Sequence, residues 1–540
     1  MAKDNPVKTL VIDNFKGSMS SYVNGDINSG LSNVIQQSGP DPFTHPGQLT
    51  WNENPEQIDA AGAVITDLIM AGKPRVESGV VYVYAVGHTG RVYKIQVNDP
   101  NTFNPNYDTP VLLATVTSGT PTFTRGGFID FFGATERIYI GHDKGVTRLD
   151  FDGTNETVVG VAGSWTQTVP RPIQQFLGKM YIGNGSNLAE IDSTATVTTY
   201  SKLSPGFPAN AQVRDLDVTP DGNYVQAVVS ETALSDLTLK TPNTTILSPS
   251  NSYVFKWNGV DTGYTAFVTY SSSILSANAI FGDYQYVFGF DNLGGAIYNP
   301  IDKYLTSTTL SAYAESPNPN AITPISGGIY WMTHLVFDGI SYAIMNFFGT
   351  ISGYELEPGF FCPFIMLATT PETDVVRVPC TIPASNFAQG TSFNGYTDTN
   401  FGTAKVYFST LEASDSTTAY RFYKWTTAPT GLGTTVTDGL YQTQTQLFSK
   451  KIKISQVRVY SEGWVANNAF EISLIGSSGN AITNGTKTFT AGTNLTVGDD
   501  FAWWTPEIAP TFALAIRVVN KGTTNFVISK IEIDYTSGGQ

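Results

Sequence analysis

One phrase returns along the chain in degraded copies, and it restricts the fold more than any other feature. It has an aromatic and apolar run, a Gly beside a polar residue, two or three turn residues, and a second alternating run. VVYVYAVGHTGRVYKIQV (80–97) is the first copy, RIYIGHDKGVTRLDFDG (137–153) the second and KMYIGNGSNLAEID (179–192) the third. YQYVFGFDNLGGAIYN (284–299) is looser, and KVYFSTLEASDSTTAYRFYKW (405–425) has a longer turn. Each reads as a hairpin, because period-2 alternation flanks a turn rich in Gly, Asn and Asp. Returning at roughly 40–60 residues, they predict one four-stranded sheet per repeat, the period of β-propeller blades. RDLDVTPDGNYVQAVVS (214–230), NSYVFKWNGVDTGYTAFVTY (251–270) and GIYWMTHLVFDGISYAIMNFFGT (328–350) are weaker copies. With them the count is about seven blades.

Composition agrees with an all-β chain. Charged residues are 14% and aromatics 12%, with 51 Gly and 29 Pro among 540 residues. The apolar content is enough for a large core, so the chain is not disordered. The formal charge is −15. A nucleic-acid binder would carry a basic stripe, and the only cluster is Lys450, Lys451 and Lys453, which reads as a solvated strand. Two cysteines, Cys362 and Cys380, do not make a disulfide framework; whether they pair stays open. MAKDNPVKTLVIDNF lacks an apolar signal region, and Gly339–Tyr354 is too short and polar to span a bilayer. The expectation is a soluble protein made in a cytoplasm, without membrane contact.

Three regions follow. Residues 1–50 form an extended N-terminal arm, with one strand-like run and then Gly- and Pro-rich text. The arm either docks on a neighbouring subunit or wraps its own domain. Residues 51–440 form the β-propeller, with 369–400 as a long insertion and Ala60–Ala71 compatible with helix or strand. Residues 441–540 carry short, evenly spaced alternating strands and form a β-sandwich or jelly roll.

Candidate chemistry is sparse. His88 and His142 hold the same position in successive repeats, where the third copy has Asn184; His45 and His334 stand apart. Two such histidines suit a metal or acid–base pair facing a channel, but a turn position tolerates His and Asn alike, and the Asn in the third copy favours that reading. Asp150, Asp152, Asn155 and Glu156 cluster in DFDGTNE as Ca²⁺ ligands would, yet without the full loop pattern; an Asp-Gly turn accounts for them. Carboxylates are not paired as glycoside hydrolysis needs, and no nucleophile-elbow, zincin or phosphate-loop motif occurs. The expectation is a non-enzyme with no cofactor and no resident metal. Trp464, Trp503 and Trp504 are candidates for stacking on sugar rings. In a strand, Trp503 and Trp504 face opposite sides, so one of them is exposed.

Two resemblances follow from these residues. The strand–PDG–strand of 214–230 resembles an element of WD40- and lactonase-type propellers. The arm phrase Asn14-Phe15-Lys16-Gly17-Ser18 resembles the N-termini of tailed-bacteriophage tail proteins, such as the nozzle proteins of short-tailed phages, where it precedes a propeller body. The second resemblance implies a virion structural protein of the tail or neck. Such a protein is a ring homo-oligomer that contacts other tail proteins and binds no specific nucleic acid. Alternatives from the residues themselves are a host-glycan-binding tail protein and a propeller glycoside hydrolase or lyase.

Overall fold

A computed structural model describes side chains for residues 6–13, 15, 48–51, 67, 69–96, 110–123, 127–161, 163–219, 221–231, 251–269 and 439–537. Strands 34–38, 56–57 and those between 270 and 426 are described by backbone alone. Among the described residues every regular element is a strand.

The five clearer phrases are the second and third strands of small antiparallel sheets; 214–230 and 328–350 are first and second strands, and 251–270 is the third and fourth strand of the sheet that 214–230 opens. In the first sheet Ile69–Glu77, Val80–Gly87, Arg91–Gln96 and Pro110–Thr115 follow one another in chain order. The second runs Phe128–Phe132, Arg137–His142, Gly145–Leu149, Thr157–Val159, and the third Ile173–Phe176, Lys179–Gly183, Leu188–Ile191, Val197–Thr199. The fourth starts at Gln212–Val218 and ends on the first half of the long strand Ala266–Phe281. The second half of that strand pairs with Tyr284–Phe290, opening a fifth sheet that continues beside Gly295–Tyr298 and Leu305–Thr308. The sixth runs from Gly328–Phe337 to Thr373–Val378. The seventh holds Phe387–Phe393, Thr403–Ser414 and Thr417–Thr426, and its outer strand is Glu56–Gln57 from the far end of the chain.

The first strand of each sheet touches the first strand of the next, and Phe387–Phe393 touches Ile69–Glu77. That cyclic order closes the ring: residues 56–426 form a seven-bladed β-propeller. Apolar faces fill the seams. Tyr84 and Val86 of the first blade meet Phe131, Ile138 and Ile140 of the second, and Tyr139 and Val146 meet Met180 and Ile182 of the third. The recurring Gly of the phrase is steric. A Cβ at Gly141 would lie 2.6 Å from the Arg171 carbonyl oxygen, so only Gly lets the blades approach there. The stretch 369–400 is not an insertion. It supplies Thr373–Val378 and the inner strand Phe387–Phe393, whose text FAQGTSF lacks the repeated phrase. Of Ala60–Ala71, Ile69–Ala71 open the first inner strand, and 60–66 and 68 lie outside the described residues.

The terminal domain is a β-sandwich. One face runs Lys8–Ile12, Ile528–Ser537, Gln446–Ser461, Phe501–Trp504; the other runs Val34–Ser38, Leu440–Thr443, Thr511–Asn520, Ala469–Ile475, Ala481–Thr490, and the two are continuous where Gln446 and Leu447 pair with Leu514 and Ala513. Inward residues of both, such as Val457, Val459, Ile531, Ile533, Leu514 and Ile516, form one core. Of the two alternatives for the extended arm 1–50, its described residues take the second and pack on their own domain. Lys8–Ile12 pairs antiparallel with Ile531–Tyr535, and Val34–Ser38 pairs with Leu440–Thr443. Leu49 exchanges backbone hydrogen bonds of 2.9 and 2.8 Å with Ile528. Ile12, Phe15, Leu49 and Trp51 all lie in the core. Those side chains are apolar and alternate, so they complete a domain rather than extend from it. The sandwich is therefore made from both ends of the chain, and the propeller is inserted within it.

Candidate functional site

Among the described residues, the outer face of the sandwich brings two exposed aromatic rings beside a cluster of hydrogen-bonding groups. Period-2 alternation turns Val457 and Val459 into the core and Arg458 and Tyr460 outward. On the adjoining strand Trp503 lies opposite Arg458 and Phe501 opposite Tyr460. On the other side Glu532 lies opposite Arg458 and Lys530 opposite Tyr460. Trp503 is 56% exposed and Phe501 47%. The Phe501 and Tyr460 rings are 6.0 Å apart, and Lys530 sits 4.1 Å over the Tyr460 ring. The Arg458 guanidinium donates from Nη2 to both Asp534 oxygens at 3.0 Å and lies 3.1 Å from Glu532 through Nε. Tyr460 donates to Glu532 at 2.8 Å. The hydrogen bond from Lys530, with that from Tyr460, holds the Glu532 carboxyl below its usual range against burial.

Of the three tryptophans expected to meet sugars, only Trp503 is at the surface. Trp464 is 0% exposed and stacks on Phe470 at 5.0 Å. Trp504 is 9% exposed and faces inward, edge-on to Phe489 at 6.1 Å. Both are core residues, because their positions point between the sheets. The sequence reading missed Phe501, Tyr460, Arg458, Glu532 and Asp534. The signal for them was the alternation around Trp503, which needs the strand partners before it can be used.

The paired histidines hold turns. His142 is buried, with Nε2 3.1 Å from the Thr147 hydroxyl, and Nδ1 accepts from the Lys144 N–H at 3.3 Å. Burial, with Arg171 and Lys144 nearby, pushes its pKa down to about 4. His88 meets the fully buried Asp67, which also accepts from the Thr89 N–H and hydroxyl. Asn184 occupies the same place in the third blade. It accepts from Arg171 at 2.6 Å and from the Thr166 N–H at 2.9 Å. The shared role is to pin a seam or turn, which His and Asn both fill. His45, Cys362 and Cys380 lie outside the described residues, and His334 is placed by its backbone in Gly328–Phe337.

The carboxylates of 150–156 are committed within the fold. Asp150 pairs with Arg137 at 2.8 Å and accepts from Asn155, Asp152 accepts from the Thr154 N–H and hydroxyl, and Glu156 accepts from the Thr117 and Ser118 N–H groups. Asp192 repeats the Asp152 pattern with Thr194 in the third blade, so this is turn chemistry. Among the described residues no three His, Cys, Asp or Glu side chains converge as metal ligands would. Lys450, Lys451 and Lys453 are exposed on their strand, with Lys451 5.6 Å over the Phe512 ring.

One open cleft of about 780 Å³ lies where the first two blades meet. Glu77 is its centre, accepting from Arg75 and Lys94 at 2.7 Å and from Tyr84. Arg75 also bonds Glu136 at 2.9 Å and lies 3.7 Å over the Phe151 ring. Burial raises Glu77, yet these donors together keep it below its usual range. Burial, then the bond to Glu77, raises Tyr84 far above the ordinary phenol value. All four groups are satisfied by one another, which makes a structural seam.

No protein-family model matches the chain, and no curated protein matches it in sequence. Solved structures do. The Swd1 β-propeller domain of Myceliophteria thermophila is 9% identical, with a TM-score of 0.37, over 64% of this chain and 93% of that one. The Dos1 propeller is 9% identical, with a TM-score of 0.39, over 77% and 94%. The extracellular domain of a putative hybrid two-component system from B. thetaiotaomicron is 10% identical, with a TM-score of 0.42, over 92% and 63%. These likenesses add nothing on activity or partners. The propeller assignment stands on the chain's own sheets and their closed ring.

Proposed function

We propose that this chain is a structural protein of a tailed-bacteriophage virion, sited in the tail or neck. The observation that carries the reading is the placement of the one described residue of the Asn14–Ser18 phrase. Phe15 is 3% exposed, in the sandwich core, with its ring 5.4 Å from that of Tyr441. Phe15 is thus packed into the domain that carries the propeller, as a residue of a scaffold element would be. The carboxylates and histidines first considered for chemistry hold turns and blade seams, which suits a scaffold better than an enzyme. The described N-terminal strands are occupied within their own domain, so self-assembly into a ring falls to outer surfaces of the propeller and sandwich. Quantitative mass spectrometry of purified phage particles tests this. A fixed whole-number copy count per particle is expected. Purified particles that lack the chain, while infected cells contain it, would overturn the reading.

A further inference from the structure

We propose that the outer face around Trp503 binds a neutral glycan, independently of where the protein resides. Trp503 and Phe501 are two positions apart on a strand that pairs on one side only among the described residues. Their side chains leave the same face of the strand, from backbone positions about 7 Å apart, two strand rises. Both remain exposed, although the neighbouring Tyr460 ring is covered by Lys530. Exposed rings offer apolar faces to the C–H side of a sugar. The next two strands supply hydroxyl partners: the Arg458 guanidinium has five donors, and the Glu532 and Asp534 carboxylates accept several bonds each.

Charge narrows the ligand. Arg458 and Lys530 are matched by Glu532 and Asp534 in one linked ladder, so these four side chains carry no net charge, and exposed Asp499 and Asp500 precede Phe501. A polyanion gains nothing from them, which disfavours nucleic acid and acidic polysaccharide. A protein partner would desolvate the Arg458, Lys530, Glu532 and Asp534 ladder beside the rings, a cost that a hydrated sugar chain avoids. A neutral hexose polymer, with C–H faces and hydroxyl edges, matches both halves of the patch.

The test is native affinity electrophoresis of the full chain in gels containing dextran, galactomannan or mixed-linkage glucan. Retardation by at least one polymer is expected, and it should persist to about 0.5 M salt because the polymers are neutral. Trp503→Ala should weaken the apparent affinity about tenfold or more, and Trp503→Tyr should keep most of it. Trp503 is exposed, so both variants should melt like the parent, which calorimetry checks. No retardation in any of the polymers, or equal retardation of Trp503→Ala, overturns the proposal. So does a dimer that Trp503→Ala dissociates without any polymer effect, which would assign the face to a second copy. None of these outcomes changes the copy count in particles.

Discussion

Deleting residues 1–51 should unfold the sandwich and leave the propeller standing. The deletion removes Ile12, Phe15, Leu49 and Trp51 from the sandwich core. Burying one such side chain contributes about 1.5–3 kcal/mol, so the four together supply on the order of 6–12 kcal/mol. A whole domain is held by only about 5–15 kcal/mol. The cut also strips Ile528–Ser537 of its neighbour Lys8–Ile12 and leaves an open edge. The blade-closing pair Glu56–Gln57 remains, so the ring keeps its last strand. Calorimetry and limited proteolysis of the full chain and of residues 52–540 separate the two bodies. The truncated chain should lose the sandwich transition, become cleavable within 440–537, and keep the propeller transition. Adding residues 1–51 as a peptide should restore part of the protection. An unchanged sandwich transition in the truncated chain would refute the burial reasoning. A related outcome concerns nicking. A single cut between 426 and 440 should leave the fragments associated, since the N-terminal strands still hold the C-terminal piece.

Acid should weaken the protein in two windows. His142 has a folded pKa of about 4, below the ordinary 6.5, so the unfolded chain protonates first and its stability contribution is whole above about pH 6.5 and lost toward pH 4. Burial raises Glu190, but bonds from Lys179, Lys202 and Thr198 outweigh it and hold the pKa near 2; its contribution is present above about 4.5 and lost toward pH 2. His142→Asn should flatten the melting temperature between pH 6.5 and 4, and an unchanged slope would count against the His142 assignment. Gly141→Ala forces a Cβ to within 2.6 Å of the Arg171 carbonyl and should cost about 1–3 kcal/mol by denaturant titration; a neutral result would mean that the seam gives freely. EDTA should leave the melting temperature unchanged, since the 150–156 carboxylates already have protein partners; a large drop restored by Ca²⁺ would reverse that reading. With a net charge of −15 the chain should show no DNA binding by anisotropy at physiological salt, and sub-micromolar, salt-sensitive binding would contradict it.

The blades were legible because each hairpin carries its own signal: alternating aromatic and β-branched residues, then Gly, Asn or Asp at the turn. The ring closure was not. Glu56–Gln57 is two polar residues without a pattern, and its partners Tyr423 and Lys424 are more than 350 positions away. The same limit hid the role of KTLVI, whose partner strand lies at the opposite end of the chain. At the candidate site, alternation required one of Trp503 and Trp504 to face out. Which one depended on Val457 and Arg458 across the ladder. Trp464 carried no local sign of its burial against Phe470 and Phe526.

The two-ended sandwich has a consequence for how the protein is made. Lys8–Ile12 leaves the ribosome first, yet its partner Ile531–Tyr535 is almost the last segment synthesised. At about 5–20 residues per second, the interval is on the order of half a minute to two minutes. Throughout it, an apolar strand waits without a mate while seven blades form beside it. Glu56–Gln57, translated before the first blade, likewise waits for the seventh. The order of synthesis thus runs against the order of closure, and the nascent chain is exposed to capture by a neighbouring copy that offers the same complementary edge.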